Sequence, residues 1–416
     1  MIKIYWLLIV GWTVTSCAGR LTENEFLVVN LMKKHPSKFR NIVKNSDALE
    51  VQIIYTQINR DSANRPHFKS YYFHLDSTKY FYPASTIKLP IALLALEKLN
   101  QQNITGLDKF TTMLNDSAYS GQISVKKDTT SENRMPSMAH YIKKILLVSD
   151  NDASNRLYEF VGQKEVSTTI KSKRYNIRIL HRLERPLSPD QNRHTEAVRF
   201  INHDTVVFSQ PMLVNEDSIK PPRKAFKGIG YIDSNSQLVK QPFDFTYKNS
   251  YPLQEQQEIL KAVLFPESVD SIKRFNISDG DRKFVLQYMS QRPRETKYPA
   301  YYKNKIYVDA HSKFFIYGNS KKPIPANIRI FNKPGNAYGF MIDNAYVVDF
   351  SNGVEFMLSA VINTNMDGIY NDGKYEYHNL GYPFMKNLGR TVYNYELKRK
   401  RKYKPDLSEF RLKYDQ

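Results

Sequence analysis

The sequence predicts an α+β fold in which an antiparallel sheet, built from the two ends of the chain, encloses an inserted helical region. Three observations predict it. β-rich runs lie at Val51 to Ile58 and Phe68 to Leu75 towards one end, and at Ile328 to Phe331, Ala345 to Phe350 and Val354 to Ile362 towards the other. Apolar runs with helical spacing fill the middle. With 416 residues, 41% hydrophobic and 13% aromatic, the chain is long enough for a substantial core in one large domain or two ordinary ones.

Taken in order, Glu23 to Asn45 reads as a helix interrupted by Pro36, which cannot donate to a helical ladder. The runs Val51 to Ile58 and Phe68 to Leu75 flank a polar connection and read as paired strands. Ile87 to Leu99 is Ala/Leu-rich, with Pro90 tolerable in a first turn, and reads as a buried helix. Residues 136–162 read as two helical pieces separated by Ser149-Asp150-Asn151. From about 200 to 250 the chain is polar, with weak periodicity. Leu253 to Leu264 and Asp281 to Met289 have amphipathic helical spacing. Ser351-Asn352-Gly353 joins the last two strands as a hairpin turn, and Gly381 to Leu397 reads as a closing helix. The basic run Lys398 to Lys402 then opens what reads as a solvated tail.

Composition excludes several classes. With 16 Gly, 20 Pro and a single Cys, the chain is neither collagen-like nor a disulfide-stapled scaffold. The nine His residues show no H-E-x-x-H or Cys-paired spacing, so no metal or other cofactor is expected. Sixty-one Lys and Arg against 41 Asp and Glu give a formal charge of +20, which favours anionic partners. Lys3, the apolar stretch Ile4 to Val10 and the small residues before Cys17 read as an export signal. Val14-Thr15-Ser16-Cys17 resembles a bacterial lipoprotein signal, which implies cleavage after residue 16 and a lipid anchor at Cys17. The expected location is the bacterial cell envelope, facing the periplasm, where nucleic acid is not an expected partner. No second apolar run of about 20 residues occurs, so no membrane span is expected.

Three short motifs carry chemistry. Ser85-Thr86-Ile87-Lys88 places a hydroxyl and an ammonium three residues apart, on one face at the start of the buried helix. The helix N-terminus favours negative charge near Ser85, and burial depresses the pKa of a lysine that must act as a base. The pattern is unspecific alone: Ser124-Val125-Lys126-Lys127 also matches. Ser149-Asp150-Asn151 sits where a loop can aim a hydroxyl and an amide into a cleft, or where Ser or Asp simply caps the next helix. Lys333-Pro334-Gly335 ends the strand from Ile328. Its lysine is either a solvated edge charge or a partner for a substrate carboxylate, with Gly335 permitting close backbone approach.

In this order the three motifs resemble the signature of the penicillin-recognising serine hydrolases, and a fourth sharpens the likeness. Arg182-Leu183-Glu184-Arg185-Pro186-Leu187 resembles the R-x-E-x-x-L of the class A β-lactamase Ω-loop. Leu89-Pro90, Leu96 to Leu99, Ala153 and Asn155 agree at the flanks, so the resemblance runs from about Val51 to Lys386. It implies a D,D-peptidase/β-lactamase-like αβα sandwich with a five-stranded antiparallel sheet. The corresponding domain is 51–397, with a helical subdomain at about 89–200 and insertions at about 203–250 and 291–324. An N-terminal tether and helix over 17–50 precede it, and the basic tail 398–416 follows.

The resemblance also implies roles. Ser85 is the expected nucleophile, with the backbone N–H groups of Ser85 and Asn336 as oxyanion donors. Lys88, or Glu184 through a water, is the acylation base, and Glu184 activates the deacylating water. Ser149 relays a proton to the leaving nitrogen, Asn151 holds Lys88 and the substrate amide, and Lys333 with Gly335 completes the substrate site. Arg182 is expected to brace the loop through an unidentified carboxylate. Pro334 replaces the family's Thr or Ser, Ser188 replaces an Asn that helps hold the water, and the interval from Glu184 to Lys333 is about twice the usual one. A monomeric class A-like β-lactamase is the leading expectation. A D,D-peptidase or esterase acting on cell-wall peptides and a non-catalytic peptidoglycan-binding lipoprotein are the alternatives.

Overall fold

The computed structural model describes residues 23–220 and 224–415. The export signal and Cys17 lie outside the described residues. The chain opens with α1 (Glu23–Lys33) and α2 (Pro36–Lys44). Pro36 does not break a helix so much as start one: it occupies the first turn of α2, where its missing N–H has no intrahelical partner to lose. Then come β1 (Gln52–Arg60) and β2 (Pro66–Phe73), joined as an antiparallel hairpin. The middle of the chain holds α3 (Lys88–Gln101), β3 (Thr112–Asp116), α4 (Met138–Val148), α5 (Asn151–Val161), α6 (Gln163–Ser172), α7 (Pro189–Arg193), β4 (Ala197–Asn202), β5 (Thr205–Gln210), α8 (Leu253–Leu264) and α9 (Asp279–Ser290). The C-terminal part returns to the sheet as β6 (Ile328–Asn332), β7 (Gly335–Ala337), β8 (Phe340–Asp349) and β9 (Val354–Asn363), closed by α10 (Tyr382–Lys398).

The main sheet runs in the order β6-β8-β9-β1-β2, every neighbour antiparallel, so the last strand of this sheet pairs with its first. β7 continues along β8 beyond β6. β6 and β7 are therefore two halves of one edge strand, interrupted at Lys333-Pro334, where proline has no N–H to give the ladder. Both faces are covered. On β9, Phe356, Leu358, Ala360 and Ile362 join the core beneath α1, α2 and α10, while the alternate Met357 and Val361 face the opposite layer. That period of two, apolar on both sides, is what a sheet in the middle of a sandwich requires.

Three segments differ from their sequence reading. The polar stretch after residue 200 contains the β4–β5 hairpin, which pairs with β3 as a second, three-stranded sheet. Its tight turn uses His203 (φ 44°) and Asp204 (φ 64°), left-handed positions that Asn-Gly normally fills, so the usual hairpin signal is missing. β8 begins at Phe340 rather than Ala345, because the polar Asp343 and Asn344 are buried within the strand and hydrogen-bonded there. The solvated tail expected at 398–416 is instead a strap. Arg399 and Arg401 both bond the buried Glu396, and Arg401 Nη1 also reaches the Glu396 carbonyl. Phe410 inserts between Phe265, Phe331 and Tyr346 with ring centroids 5.6, 5.6 and 4.8 Å away.

Phe410→Ala should therefore lower the unfolding free energy by about 3 kcal/mol in urea denaturation, as expected for deleting a buried ring. A loose tail would change it by less than about 0.5 kcal/mol.

Candidate active site

Ser85 stands on a turn of 3₁₀ helix, Ala84–Ile87, that leads directly into α3. The turn is held by Pro83, whose carbonyl accepts from Thr86 N (3.2 Å) and Thr86 Oγ1 (2.7 Å). Ala84 has φ 50°, a left-handed conformation disfavoured for a residue with a Cβ, so the backbone is strained one residue before the hydroxyl. On the other side, β7 abuts the turn. A Cβ at Gly335 would stand 2.6 Å from Ser85 N and 3.0 Å from Thr86 N, closer than real Cβ contacts allow. A close approach that Gly335 permits in the structure is to the Ser85 turn itself, and Gly335 also lines the cleft.

Lys88, the first residue of α3, is fully buried. Its Nζ donates to the Ser149 carbonyl, to Ser149 Oγ (3.2 Å) and to Asn151 Oδ1 (2.5 Å). Burial drives its pKa down to about 7 against the opposing pull of the Asp150 and Glu184 charges. The loop between α4 and α5 is built to present these partners. Ser149 ends α4 in a left-handed conformation (φ 62°), and Asp150 Oδ1 caps α5 by accepting from Ala153 N at 2.8 Å. Capping and site-building are divided between neighbours: Asp150 takes the first, Ser149 and Asn151 the second.

Lys333 is no solvated edge charge. It is 3% exposed, and its Nζ donates to Ser149 Oγ (2.8 Å) and to the Pro334 carbonyl (2.9 Å). Burial, and then the nearby Lys88, hold its pKa well below the ordinary lysine value. Beneath it, Asn332 is fixed by Asp343 Oδ1 (2.8 Å) and by the buried Lys313 (2.8 Å).

The loop carrying Glu184 is tied down by α5. Arg182 forms a two-pronged ion pair with Glu159, one contact being Nη2 to Oε2 at 2.6 Å, and also donates to the His194 carbonyl at 2.7 Å. Glu159 is the brace that the sequence left unnamed; nothing in its spacing on α5 singles it out. Asn155 clamps the backbone of Leu183 from both sides, Nδ2 to O and Oδ1 to N, each 2.9 Å. Glu184 follows in a left-handed conformation (φ 51°), exposed and lining the same cleft as Ser85 and Asn151. Ser188 is not among the residues lining the cleft that Glu184 borders. Its hydroxyl accepts from Gln191 N (3.1 Å) as the cap of α7.

Around Ser85 the cleft opens in two directions, into arms of about 670 and 690 Å³ that share Ser85, Asn151, Glu184 and Asn336. One arm is walled by Tyr82, Tyr338 and Tyr375 with Lys248, the other by Lys305, Lys321, His311 and His378. Lys248 comes from the insertion after residue 203, and Lys305 and Lys321 from the one after residue 291; no sequence motif marks either as reaching the cleft. Ser124 and Lys127, the competing Ser-x-x-Lys pair, line neither arm. Among the described residues no group of three His, Cys, Asp or Glu is arranged to hold a metal ion, and no helix is long and apolar enough to cross a membrane.

A strained turn presenting a serine, a buried lysine beside a second hydroxyl, and a second buried lysine at a sheet edge define a penicillin-recognising, β-lactamase-like serine hydrolase. The sequence model of the Beta-lactamase enzyme family matches residues 36–209 of the chain. Solved structures of similar fold include a β-lactamase from Chitinophaga pinensis at 10% identity and TM-score 0.48, covering 86% of this chain and 99% of that one. Another is a β-lactamase from Xanthomonas campestris at 13% identity and TM-score 0.46, covering 88% and 98%. A point mutant of PBP-A, an acyl-enzyme complex with penicillin G, is 15% identical at TM-score 0.45, covering 88% and 96%. No curated protein sequence matches the chain.

Gly335→Ala should disturb the nucleophile without unfolding the protein, because the added Cβ meets the backbone of Ser85 rather than a flexible side chain. The expected outcome is a fall of about 100-fold in the rate of Ser85 acylation, measured by intact mass, with a loss of about 1–3 kcal/mol in unfolding free energy that leaves the protein folded.

Proposed function

We propose that the protein is a class A-like serine β-lactamase that opens lactam amide bonds through an acyl-enzyme on Ser85. Ser85 Oγ attacks the carbonyl carbon, and its proton passes to neutral Lys88. The oxyanion is held by the backbone N–H groups of Ser85 and Asn336. As the C–N bond breaks, Ser149 delivers a proton to the leaving nitrogen, drawing on the proton now on Lys88. Asn151 keeps Lys88 in place and contacts the substrate amide, while Lys333 attracts the substrate carboxylate. Glu184 then activates the water that hydrolyses the ester, a general-base contribution of about 10²- to 10⁴-fold. The observation that carries this reading is Lys88: fully buried, bonded to Ser149 and Asn151, and held near pKa 7, where an amine can accept a proton at neutral pH. Action from a lipid anchor at Cys17 in the cell envelope, as a monomer, belongs to the same proposal.

A second reading, a D,D-peptidase or esterase-like enzyme acting on cell-wall peptides, is favoured by one specific observation. Ser188 Oγ caps α7 and lines neither arm of the cleft that Glu184 borders, which leaves Glu184 without that partner for a water. The two readings share every step up to the acyl-enzyme and differ in how fast it breaks down.

A time course with a chromogenic cephalosporin, followed by absorbance and intact mass together, separates them. Steady turnover without a lasting adduct supports the lactamase, and a persistent adduct on Ser85 supports the peptidase. Under the lactamase reading Glu184→Gln accumulates the adduct, its breakdown slowed about 100-fold or more. The pH dependence tests the base. Since Lys88 must be deprotonated to act, the acylation rate should rise as pH increases through about 7 and level off above it. A rise already complete below about pH 6 assigns the proton to a carboxylate instead.

A further inference from the structure

One cation on the cleft wall has no use in the steps above. Lys248 is half-buried, lines the aromatic arm beside Tyr82 and Tyr338, and also lines an adjoining cavity of about 630 Å³ beneath the Arg182–Ser188 loop. Several partly buried lysines elsewhere have a carboxylate partner: Lys98 with Glu165 at 2.6 Å, Lys173 with Glu97 at 2.8 Å, Lys144 with Asp128 at 3.1 Å. Among the described residues Lys248 has no carboxylate within ion-pair distance, and its one close partner is the Phe243 ring, 5.8 Å from the ammonium. The two acids that border the adjoining cavity are engaged elsewhere. Asp217 pairs with Lys164 at 3.2 Å, and Asp244 accepts from Thr246 N at 2.8 Å. Burial lowers the Lys248 pKa with no neighbouring charge to offset it. An ammonium partly withdrawn from water and left without a counter-charge is destabilising unless an anion joins it.

The two arms have a direction under the proposed chemistry, on which this inference rests. Ser149 and Pro334 border the arm of Lys305 and Lys321, so the leaving half of a substrate lies there and the acyl half enters the arm of Lys248. We propose that Lys248 is the counter-ion for an anionic group in the acyl half, so that the cleft selects acyl donors carrying a carboxylate beside an aromatic or flat group on that side. Tyr82 and Tyr338, in edge-to-face contact at 4.9 Å, supply the apolar wall for that group. Lys248 is then a specificity-determining residue that touches the substrate away from the reacting atoms.

α-Carboxybenzylpenicillin and benzylpenicillin differ by one carboxylate in the acyl half and make the test direct. Binding is measured by calorimetry on Ser85→Ala, which cannot be acylated, so the comparison does not depend on turnover. The carboxylated lactam should bind about tenfold more tightly than benzylpenicillin, the size of one charge-assisted contact. Adding Lys248→Met should abolish that preference, and Lys248→Arg should restore most of it. Equal affinity for the two lactams on Ser85→Ala, no detectable binding of the carboxylated one, or a preference that survives Lys248→Met each overturns the proposal. Acylation of Ser85 by benzylpenicillin in the parent protein is the separate readout of the proposed function, and its failure leaves the binding comparison standing.

Discussion

Two buried lysine amines converge on one hydroxyl, and the rest of the site follows from that. Ser149 Oγ lies 3.2 Å from Lys88 Nζ and 2.8 Å from Lys333 Nζ. Like charges this close in a poorly polarisable interior repel, and among the described residues no carboxylate makes an ion pair with either lysine. Burial favours the neutral form of each, and Lys88 pushes Lys333 lower still. The hydrogen-bond count then gives the lone pair a direction. A neutral Lys88 has two hydrogens for three partners, and two of those partners, the Ser149 carbonyl and Asn151 Oδ1, can only accept. Its lone pair is therefore left for Ser149 Oγ, the hydroxyl through which the proposed mechanism passes a proton to the leaving nitrogen.

The fold's task is to hold that crowded arrangement in place. The α4–α5 joint, the edge strand and the turn before α3 come from three distant parts of the chain, and each is fixed by local means. Asp150 caps α5, Pro334 interrupts the strand so that Lys333 turns inward, and Gly335 lets β7 lie against the Ser85 backbone. Below, Arg182 and Glu159 form one buried ion pair and Arg156 and Glu196 another, linked through Glu196 N to Glu159 Oε2 at 2.8 Å. Removing one member of such a group leaves an uncompensated buried charge, so this region holds the Glu184 loop stiffly to α5.

Much of this was legible in the sequence because it rests on short-range rules. Apolar runs with helical spacing located α3, α4, α5 and α8, and β-rich runs located β1 and β9. The order of Ser85, Lys88, Ser149, Asn151, Glu184 and Lys333 identified the site. What could not be read depended on long-range partners or on conformations that residue type does not announce. Glu159 is one acid among many until the fold brings Arg182 to it. The β4–β5 turn uses His203 and Asp204 in left-handed conformations, and the strap that carries Phe410 looked like a charged tail because nothing in the sequence links Arg399 and Arg401 to their common partner, Glu396. Ser188 is the instructive case. Its position in the motif pointed to a water-holding role, yet Ser188-Pro189-Asp190-Gln191 is also a helix-opening sequence, and the local cap claims the hydroxyl.

The claim that a neutral Lys88 sits at the centre of this site is tested most directly by an NMR titration of its ε-methylene, assigned by comparison with Lys88→Arg. The account predicts a midpoint near pH 7, far below the roughly 10.4 of an unperturbed lysine. A midpoint above about 9.5 would mean that Lys88 is a permanent cation at neutral pH, and would contradict the account.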